Sequence, residues 1–282
     1  MKTFSIVSLL IIISTFNHTN TNTNTNTNTN TNTNTNTNKM PLYLRYNLVP
    51  KLPDIYLSPF SEKIGVTWKN GMVWDKVLIQ KFYSLLPKND FFVVLDLGAQ
   101  TGSFTLLSKF FPNSVWHAFE PIKEAADTLK ENIKINNIEN VSVYEVAASN
   151  TSSTAILNMP KINSWGLATL GSNPLRFKPY KTRKIKCIKL DTFIKTNHIK
   201  KVHFMKIDTE GFELFILQGA KKMIQRDHPI ILMEYNMINM KQCNVLKEDV
   251  NKFLTQLGYE WKPVTCEDIL CTPKNLKFNE SL

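Results

Sequence analysis

The chain has 282 residues, of which 43% are hydrophobic, so it is long enough for one large domain with appendages. Its formal net charge is +11, yet only four of its 34 basic residues are arginines, the residue whose planar guanidinium best reads phosphates and bases. The charge is therefore interpreted as a solvated, lysine-rich surface, which disfavours nucleic acid as a partner.

The first 90 residues form three segments ahead of the predicted core. Residues 1–16 join Met1 and Lys2 to an apolar run that is typical of a signal peptide and short for a membrane span. The alternatives are an uncleaved membrane anchor and an incidental apolar start. Residues 17–39 carry a Thr-Asn repeat, typical of a disordered spacer. A signal peptide predicts the secretory pathway, and its absence predicts the cytoplasm.

Residues 40–90 are predicted to pack on the core. The proline-rich and aromatic stretch 40–60 indicates an extended arm, and residues 75–86 have apolar residues at helical spacing, stopped by Pro87. The four cysteines lie far from any histidine cluster with zinc spacing and are interpreted as small buried hydrophobes. A bridge between Cys266 and Cys271 is the alternative in an oxidising compartment.

From residue 91 to residue 282, strand and helix patterns alternate. Apolar runs predict strands over 91–97, 114–119, 141–147, 185–189, 202–207 and 229–234. Helical spacing predicts helices over 103–111, 122–136, 190–196, 211–226 and 244–257, whereas residues 150–182 look irregular. Repeated β-α units imply an α/β domain with a doubly wound, mostly parallel sheet. The last two strands, 259–264 and 268–271, share a short link and predict an antiparallel edge.

The first predicted strand ends in Asp96-Leu-Gly98-Ala-Gln-Thr-Gly102, at the sheet edge where such folds bind ligands. Gly98 is expected to let the backbone approach a ligand, and Gly102 to let the helix pack on the strand. The helix N-terminus suits a ligand carboxylate, and Asp96 suits an ammonium group. Gln100 replaces the second glycine of a dinucleotide site, which disfavours NAD. An ordinary strand-to-helix turn is the alternative.

A second carboxylate, Glu120, follows the next strand, where an acid can accept both hydroxyls of a ribose. Pro121 fits the first turn of the following helix. Ala148 and Ser149 follow the third strand and are candidates for contact with an adenine. The alternatives are an exposed carboxylate at a helix start and a plain loop.

The most acidic segment, Lys206-Ile-Asp208-Thr-Glu210-Gly211-Phe-Glu213, lies where a strand feeds a helix, at the same sheet edge as Gly98. A carboxylate there is suited to act as a general base. The candidates are Asp208, Glu210, Glu213 and, one strand further on, Glu234, with His203 and His228 as additional candidates. The acids of the segment also suit a helix N-cap and first turn. Clustered carboxylates are also suited to hold a divalent cation.

Over roughly residues 90–273, the motifs of the chain and their order resemble those of FkbM-type methyltransferases. They are Asp96-Leu-Gly98-Ala-Gln-Thr-Gly102, Ala118-Phe-Glu120-Pro121, Leu190-Asp191, the 206–213 segment, Leu217-x-Gly219-Ala220, Pro229-x-x-x-x-Glu234, Leu257-Gly258-Tyr259 and Asp268-Ile-Leu-Cys-Thr-Pro273. The resemblance implies a class I methyltransferase fold and transfer of a methyl group from S-adenosylmethionine, typically to an oxygen of a sugar or natural product.

Carried over to this chain, the resemblance points to Asp96, Gly98 and Glu120 for the cofactor and to residues 208–213 near the reaction centre. With their neighbours, the predicted cofactor site comprises Asp96, Gly98, Ala99, Gln100, Gly102, Glu120, Pro121, Ala148, Ser149 and Asp208. The expected acceptor is a glycan or a small molecule, and residues 152–180, with Trp165 and Gly166, are expected to shape its pocket.

Two other functions have support in the sequence. The apolar start and the sequons at Asn140, Asn150 and Asn279 fit a secreted, non-catalytic glycoprotein or binding module with the same fold. The net charge gives weak support to an RNA methyltransferase, and a protein methyltransferase is the related alternative. Against RNA, the acidic segment that begins at Asp208 would repel a phosphate backbone.

Overall fold

The computed structural model describes residues 43–61, 68–69, 72–73 and 75–275. The predicted signal segment, the Thr-Asn repeat and the sequon at Asn279 lie outside these ranges. Within them, no helix is long and apolar enough to cross a membrane.

Fourteen strands and seven α-helices are described. The strands are β1 Leu44–Tyr46, β2 Ile55–Leu57, β3 Trp68–Lys69, β4 Met72–Val73, β5 Phe92–Leu97, β6 Ser114–Phe119, β7 Val141–Tyr144, β8 Ala147–Ser149, β9 Ser153–Met159, β10 Lys181–Lys189, β11 Phe204–Ile207, β12 Ile230–Glu234, β13 Tyr259–Pro263 and β14 Asp268–Pro273. The α-helices are α1 Lys76–Leu85, α2 Lys123–Ile135, α3 Leu190–Thr196, α4 Glu213–Gly219, α5 Lys221–Asp227, α6 Met237–Gln242 and α7 Lys247–Gln256. Two 3₁₀ helices span Thr105–Phe110 and Ile162–Leu167.

A seven-stranded sheet in the order β13-β14-β12-β11-β5-β6-β7 forms the centre of the domain. The five strands from β12 to β7 are parallel, so the predicted doubly wound α/β fold is confirmed. The hairpin of β13 and β14 forms the predicted antiparallel edge: β14 pairs antiparallel with β12, and β13 pairs antiparallel with β14 and lies outermost. The buried, more apolar strand of the hairpin takes the inner position, and the more exposed β13 forms the edge.

Both faces of the sheet are covered, which explains the continuous apolar runs of its central strands. All six residues of β5 are buried. Leu95 packs in a cluster with residues of α3 to α7, and its neighbour Val94 packs in another with β1, β2, α1 and the first 3₁₀ helix. Successive side chains of a strand point to opposite faces, so each run serves two cores.

The region 150–182 is more regular than the sequence predicts. β9 pairs antiparallel with β10, and β10 pairs parallel with β8, so a second sheet follows β7. The prediction of irregular structure is wrong here because much of β9 and β10 is exposed and polar, so the apolar signal of a buried strand is missing.

Two predicted helices also differ from the structure. The helix expected over 211–226 is divided into α4 and α5 at Ala220, whose backbone is not helical. Just before this break the chain approaches β8 closely, since a Cβ on Gly219 would lie 2.0 Å from the carbonyl oxygen of Ser149. The helix expected over 244–257 begins at Lys247, and α6 precedes it.

The segment 43–61 lies against α2 through two asparagines. The amide N–H of Tyr56 donates to Asn136 (2.9 Å), and that of Ser58 donates to Asn132 (2.8 Å). Ile55 and Leu57 are fully buried beside them. All four cysteines are free: Cys266 is exposed and the other three are buried, so the alternative bridge is not formed.

Candidate functional site

A cavity of about 1320 Å³, partly open to solvent, lies at the carboxyl ends of the parallel strands. It is lined by nine of the predicted site residues: Asp96, Gly98, Gln100, Glu120, Pro121, Ala148, Asp208, Glu210 and Glu234. Four others, Ala99, Gly102, Ser149 and Glu213, are not part of its wall. The cavity therefore gathers most, but not all, of the residues that the motifs indicate.

Gly98 and Gly102 are required by packing within the protein. Gly98 has φ +85°, and a Cβ there would lie 1.9 Å from the carbonyl oxygen of Asp208. The structure shows a close approach between the turns after β5 and β11. Gly98 also lines the cavity, and its approach to a ligand stays a prediction. A Cβ on Gly102 (φ +107°) would lie 2.5 Å from Leu129 of α2, so this glycine packs against α2 and not on the strand.

Glu120 is held rigidly at the end of β6. Its carboxylate accepts one hydrogen bond at each oxygen, from the backbone N–H of Gln100 (2.9 Å) and of Ile122 (2.8 Å). The side chain is only 5% exposed, and burial raises its pKa to about 7, although the two backbone bonds lower it. Each oxygen keeps a lone pair for a further donor.

Asp96 is a second buried acid, at the end of β5. The hydroxyl of Thr105, in the first 3₁₀ helix, donates to it at 2.5 Å. Burial raises the pKa of Asp96 to about 6, because desolvation outweighs the hydrogen bond from Thr105 and the charge of Lys206. A cationic group in the cavity would therefore be stabilised by this carboxylate.

Lys206 is buried among acids. Its ammonium lies 3.2 Å from Asp208 Oδ2, 3.9 Å from Asp268 Oδ1 and 4.9 Å from the centre of the Phe104 ring. Burial opposes the charged form, but Asp208, Asp268 and Asp75 outweigh it and raise the pKa of Lys206 above its ordinary value. The side chain is only 1% exposed, so it is a fixed internal cation.

Three acids converge beside Lys206. Oxygen atoms of Asp208, Glu210 and Glu234 lie within 4.8 Å of one another. The amide of Asn239 donates to both Glu210 (2.7 Å) and Glu234 (2.5 Å), and Arg176 lies 3.2 Å from Glu210. Burial and repulsion by Asp208 raise the pKa of Glu210 to about 8, and burial and repulsion by Glu210 raise that of Glu234 well above its usual range.

The backbone at Glu210 is in the left-handed region, with φ +57°. Its carbonyl oxygen accepts hydrogen bonds from the side chains of Thr169 (2.8 Å) and Gln242 (2.8 Å). Gly211 follows with φ +102°, and a Cβ there would lie 1.9 Å from the carbonyl oxygen of Asn239. Such unfavourable backbone conformations persist where surrounding contacts fix them, and they cluster at functional sites.

Three predicted base candidates lie away from the cavity. One oxygen of Glu213 accepts hydrogen bonds from the N–H and hydroxyl of Thr209 and from the N–H of Gly211, so its carboxylate holds the loop together. The ring of His203 accepts from the N–H of Val93 at the opposite edge of the sheet. His228 precedes β12 at that same edge, so neither histidine serves this site.

Other residues of the site come from outside the parallel strand ends. Asp75, Arg176 and Asp268 line the cavity, together with Trp165 and Gly166 from the segment expected to shape the acceptor pocket. Asp268 had a signal in the sequence, because the first residue of an antiparallel strand lies at the same sheet edge as the last residues of parallel strands. Asn239 had none, since it lies in a helix that the sequence did not predict.

Two comparisons of sequence relate this chain to known methyltransferases. The FkbM methyltransferase domain family matches residues 96–261. Methyltransferase 1 of Beauveria bassiana (strain ARSEF 2860) is 26% identical over 182 residues, which cover 59% of this chain and 71% of that protein.

Two solved structures give the comparison at the level of coordinates. Methyltransferase FkbM from Methylobacillus flagellatus KT aligns with a TM-score of 0.45 and 17% identity over 67% of this chain and 45% of that one, so this chain spans less than half of its length. Precorrin-6y C5,15-methyltransferase from Geobacter metallireducens GS-15 aligns with a TM-score of 0.42 and 14% identity over 73% of this chain and 91% of that one. The family match covers more than half of the residues of this chain. The chain therefore belongs to the FkbM methyltransferase domain family.

Proposed function

We propose that this protein transfers a methyl group from S-adenosylmethionine to a hydroxyl group of a small molecule or a glycan. The observation that carries the proposal is the buried carboxylate of Glu120, fixed by two backbone amides in the same cavity as the acids around Glu210. One end of the cavity thus suits a nucleoside, and the other end carries carboxylates that can accept a proton from the acceptor.

The residues of the cavity fit S-adenosylmethionine. Glu120 has a free lone pair on each oxygen for the two ribose hydroxyls, and Asp96 is placed to receive the ammonium group. Ile122, Ala148 and Leu157 offer an apolar wall for the adenine. When bound, the cofactor supplies a methyl group activated by a sulfonium charge.

The acids beyond Asp208 are suited to prepare the acceptor. A carboxylate takes the proton of the acceptor hydroxyl while that oxygen forms its bond to the methyl carbon and the carbon–sulfur bond breaks. Glu210 is the strongest candidate, because its raised pKa, about 8, makes it a better base than an ordinary carboxylate. The remaining walls hold the acceptor in line, which contributes through proximity.

The acidic lining favours a hydroxyl acceptor over RNA. Asp75, Asp208, Glu210, Glu234 and Asp268 all face the same cavity, and clustered carboxylates repel a phosphate backbone. Lys206, which lines the same cavity, is already paired with Asp208.

Titration of the full chain with S-adenosylmethionine in a calorimeter tests the cofactor half of the proposal. We expect saturable binding that Asp96→Ala and Glu120→Ala each weaken about ten- to a hundredfold, since a hydrogen bond to a charged group contributes about 1.5–3 kcal/mol. Glu139→Ala, an exposed change on the loop before β7, is the matched control. A folded protein without saturable binding would contradict the proposal.

Methyl transfer from labelled cofactor tests the acceptor half. Panels of glycans, small hydroxylated metabolites, RNA and protein are offered in parallel. Label is expected in the first two classes and is lost in Glu210→Gln. Label in RNA or protein alone, or in no class despite cofactor binding, would overturn the assignment to a hydroxyl.

A further inference from the structure

We propose that Asp208, Glu210 and Glu234 form a binding site for one divalent cation that prefers oxygen ligands, such as Mg²⁺ or Mn²⁺. The ion would lie beside the acceptor and hold its hydroxyl oxygen, a role that rests on the proposed function. The site itself does not depend on that role.

In each of the three carboxylates, one oxygen accepts hydrogen bonds from the protein and the other accepts none from the described residues. Lys206 donates to Oδ2 of Asp208, Arg176 and Asn239 to Oε2 of Glu210, and Asn239 to Oε1 of Glu234. Among the hydrogen bonds of the described residues, none reaches the other oxygen of each acid. The internal partners thus fix three carboxylates within 4.8 Å of one another and leave one oxygen of each available.

A buried oxygen of Glu234 gives evidence that is separate from the clustering of the acids. Oε2 of Glu234 is buried and has no hydrogen-bond partner within the described part of the chain, although the residue is only 6% exposed and lines the cavity. A buried carboxylate oxygen without a donor is unfavourable, and native proteins provide a partner for nearly all such atoms. A cation that enters through the cavity supplies that partner.

Charge points in the same direction. The cavity wall carries Asp75, Glu267 and Asp268 in addition to the three proposed ligands, whereas its lysine and arginine lining is limited, within the described residues, to Lys206 and Arg176. Asp208 and Asp268 both lie within 4.0 Å of Lys206. Arg176 pairs with Glu210, but among the ion pairs of the described residues none reaches Glu234.

The ligand chemistry selects the class of ion. All three donors are carboxylates, which suit hard cations such as Mg²⁺ and Mn²⁺. Mg²⁺ usually keeps several water ligands in a protein site. The acceptor hydroxyl would therefore bind to the ion by replacing one of these waters.

Binding of Mn²⁺ to the full chain, stripped with a chelator and free of S-adenosylmethionine, tests the site by electron paramagnetic resonance. We expect one saturable site, competed by Mg²⁺. Glu234→Gln and Asp208→Asn should each raise the Mn²⁺ dissociation constant at least tenfold. Glu260→Gln, which changes an exposed carboxylate on β13, should leave it unchanged.

The inference would be overturned if Mn²⁺ did not bind saturably, as expected if protons or an acceptor ammonium group neutralise the acids. It would also be overturned if Glu260→Gln weakened binding as much as the ligand variants do. Unchanged binding in Asp208→Asn would overturn it as well. Asp208 is the most exposed of the three ligands, so its variant serves if Glu234→Gln does not fold. S-adenosylmethionine is titrated into the same samples. Cofactor binding without a Mn²⁺ site contradicts this inference alone, and the reverse contradicts the proposed function alone.

Discussion

Gly98 links the two halves of the site at the scale of a single residue. Its lack of a Cβ lets the turn after β5 touch the carbonyl oxygen of Asp208, which a Cβ would approach to 1.9 Å. Asp208 in turn bonds the buried ammonium of Lys206. The separation between the predicted cofactor region and the acids therefore depends on a contact between two backbones.

The substitution Gly98→Ala tests this contact, with Gly258→Ala as its control. Both glycines have positive φ, +85° and +78°, but nothing lies within 4 Å of a Cβ at Gly258. Gly258→Ala should therefore cost only the backbone strain, about 1–2 kcal/mol. Gly98→Ala should cost at least about 3 kcal/mol, because a carbonyl must also move. Urea unfolding measures both, and equal losses would show that no clash exists.

At the scale of secondary structure elements, the sequence predicts best the elements that are buried on both faces. β5 and β6 lie within one residue of their predicted bounds because continuous apolar runs record this burial directly. The bounds of α2, which is buried on one face only, are predicted as closely from its helical spacing. β9 is missed because half-exposed polar residues leave no such record. Likewise, Glu120 and Asp208 are identified because they follow strands directly. Arg176 reaches the cavity, and Asn239 reaches Glu210 and Glu234, by tertiary packing alone.

The arm and α2 form a further contact between elements that local patterns did not reveal. Asn132 is fully buried; it accepts from the N–H of Ser58 at 2.8 Å and donates to the carbonyl oxygen of Thr101 at 2.9 Å. One side chain thus joins the arm to the loop after β5, and that loop carries Gln100, the partner of Glu120.

Asn132→Ala is expected to loosen the arm. The change removes the acceptor of the buried N–H of Ser58, at a cost of about 1–3 kcal/mol. Limited proteolysis should then cut within residues 43–61 faster than in the parent protein, and urea unfolding should show the loss. Glu131→Ala, an exposed neighbour on α2, provides the control. The proposed link fails if both variants are cut at the same rate.

At the scale of the whole molecule, a protein of net charge +11 concentrates buried acids at one edge of its sheet. Burial raises the pKa of Asp75 and Asp96 to about 6 and that of Glu120 to about 7. Folding therefore binds protons at neutral pH, so the free energy of unfolding falls as pH rises through these values. Above these pKa values the buried carboxylates are ionised and lower the stability of the folded protein until a ligand pairs with them.

This sign can be measured between pH 6.5 and 8. Burial lowers the pKa of His117 and His203 from 6.5, so these histidines still bind protons at pH 6.5 in the unfolded state, and their effect on stability opposes that of the acids. The histidines act equally in the parent protein and in Glu120→Gln, so the difference between these two proteins isolates the acid. A carboxyl with a pKa near 7 loses about 1 kcal/mol of stability across this window, and a domain of this size changes its Tm by about 2–4 °C per kcal/mol. From pH 6.5 to pH 8, the Tm of the chelated parent protein should therefore fall by about 2–4 °C relative to that of Glu120→Gln.

S-adenosylmethionine should reverse the loss, because it binds ionised Glu120 in the folded state only. At a hundred times its dissociation constant, a ligand adds about 2.7 kcal/mol to the free energy of unfolding. The rise in Tm on adding cofactor should consequently be larger at pH 8 than at pH 6.5, where part of Glu120 must first lose a proton. A pH dependence of Tm that is the same in the chelated parent protein and in Glu120→Gln, or a cofactor effect that is equal at both pH values, would show that Glu120 is already ionised throughout.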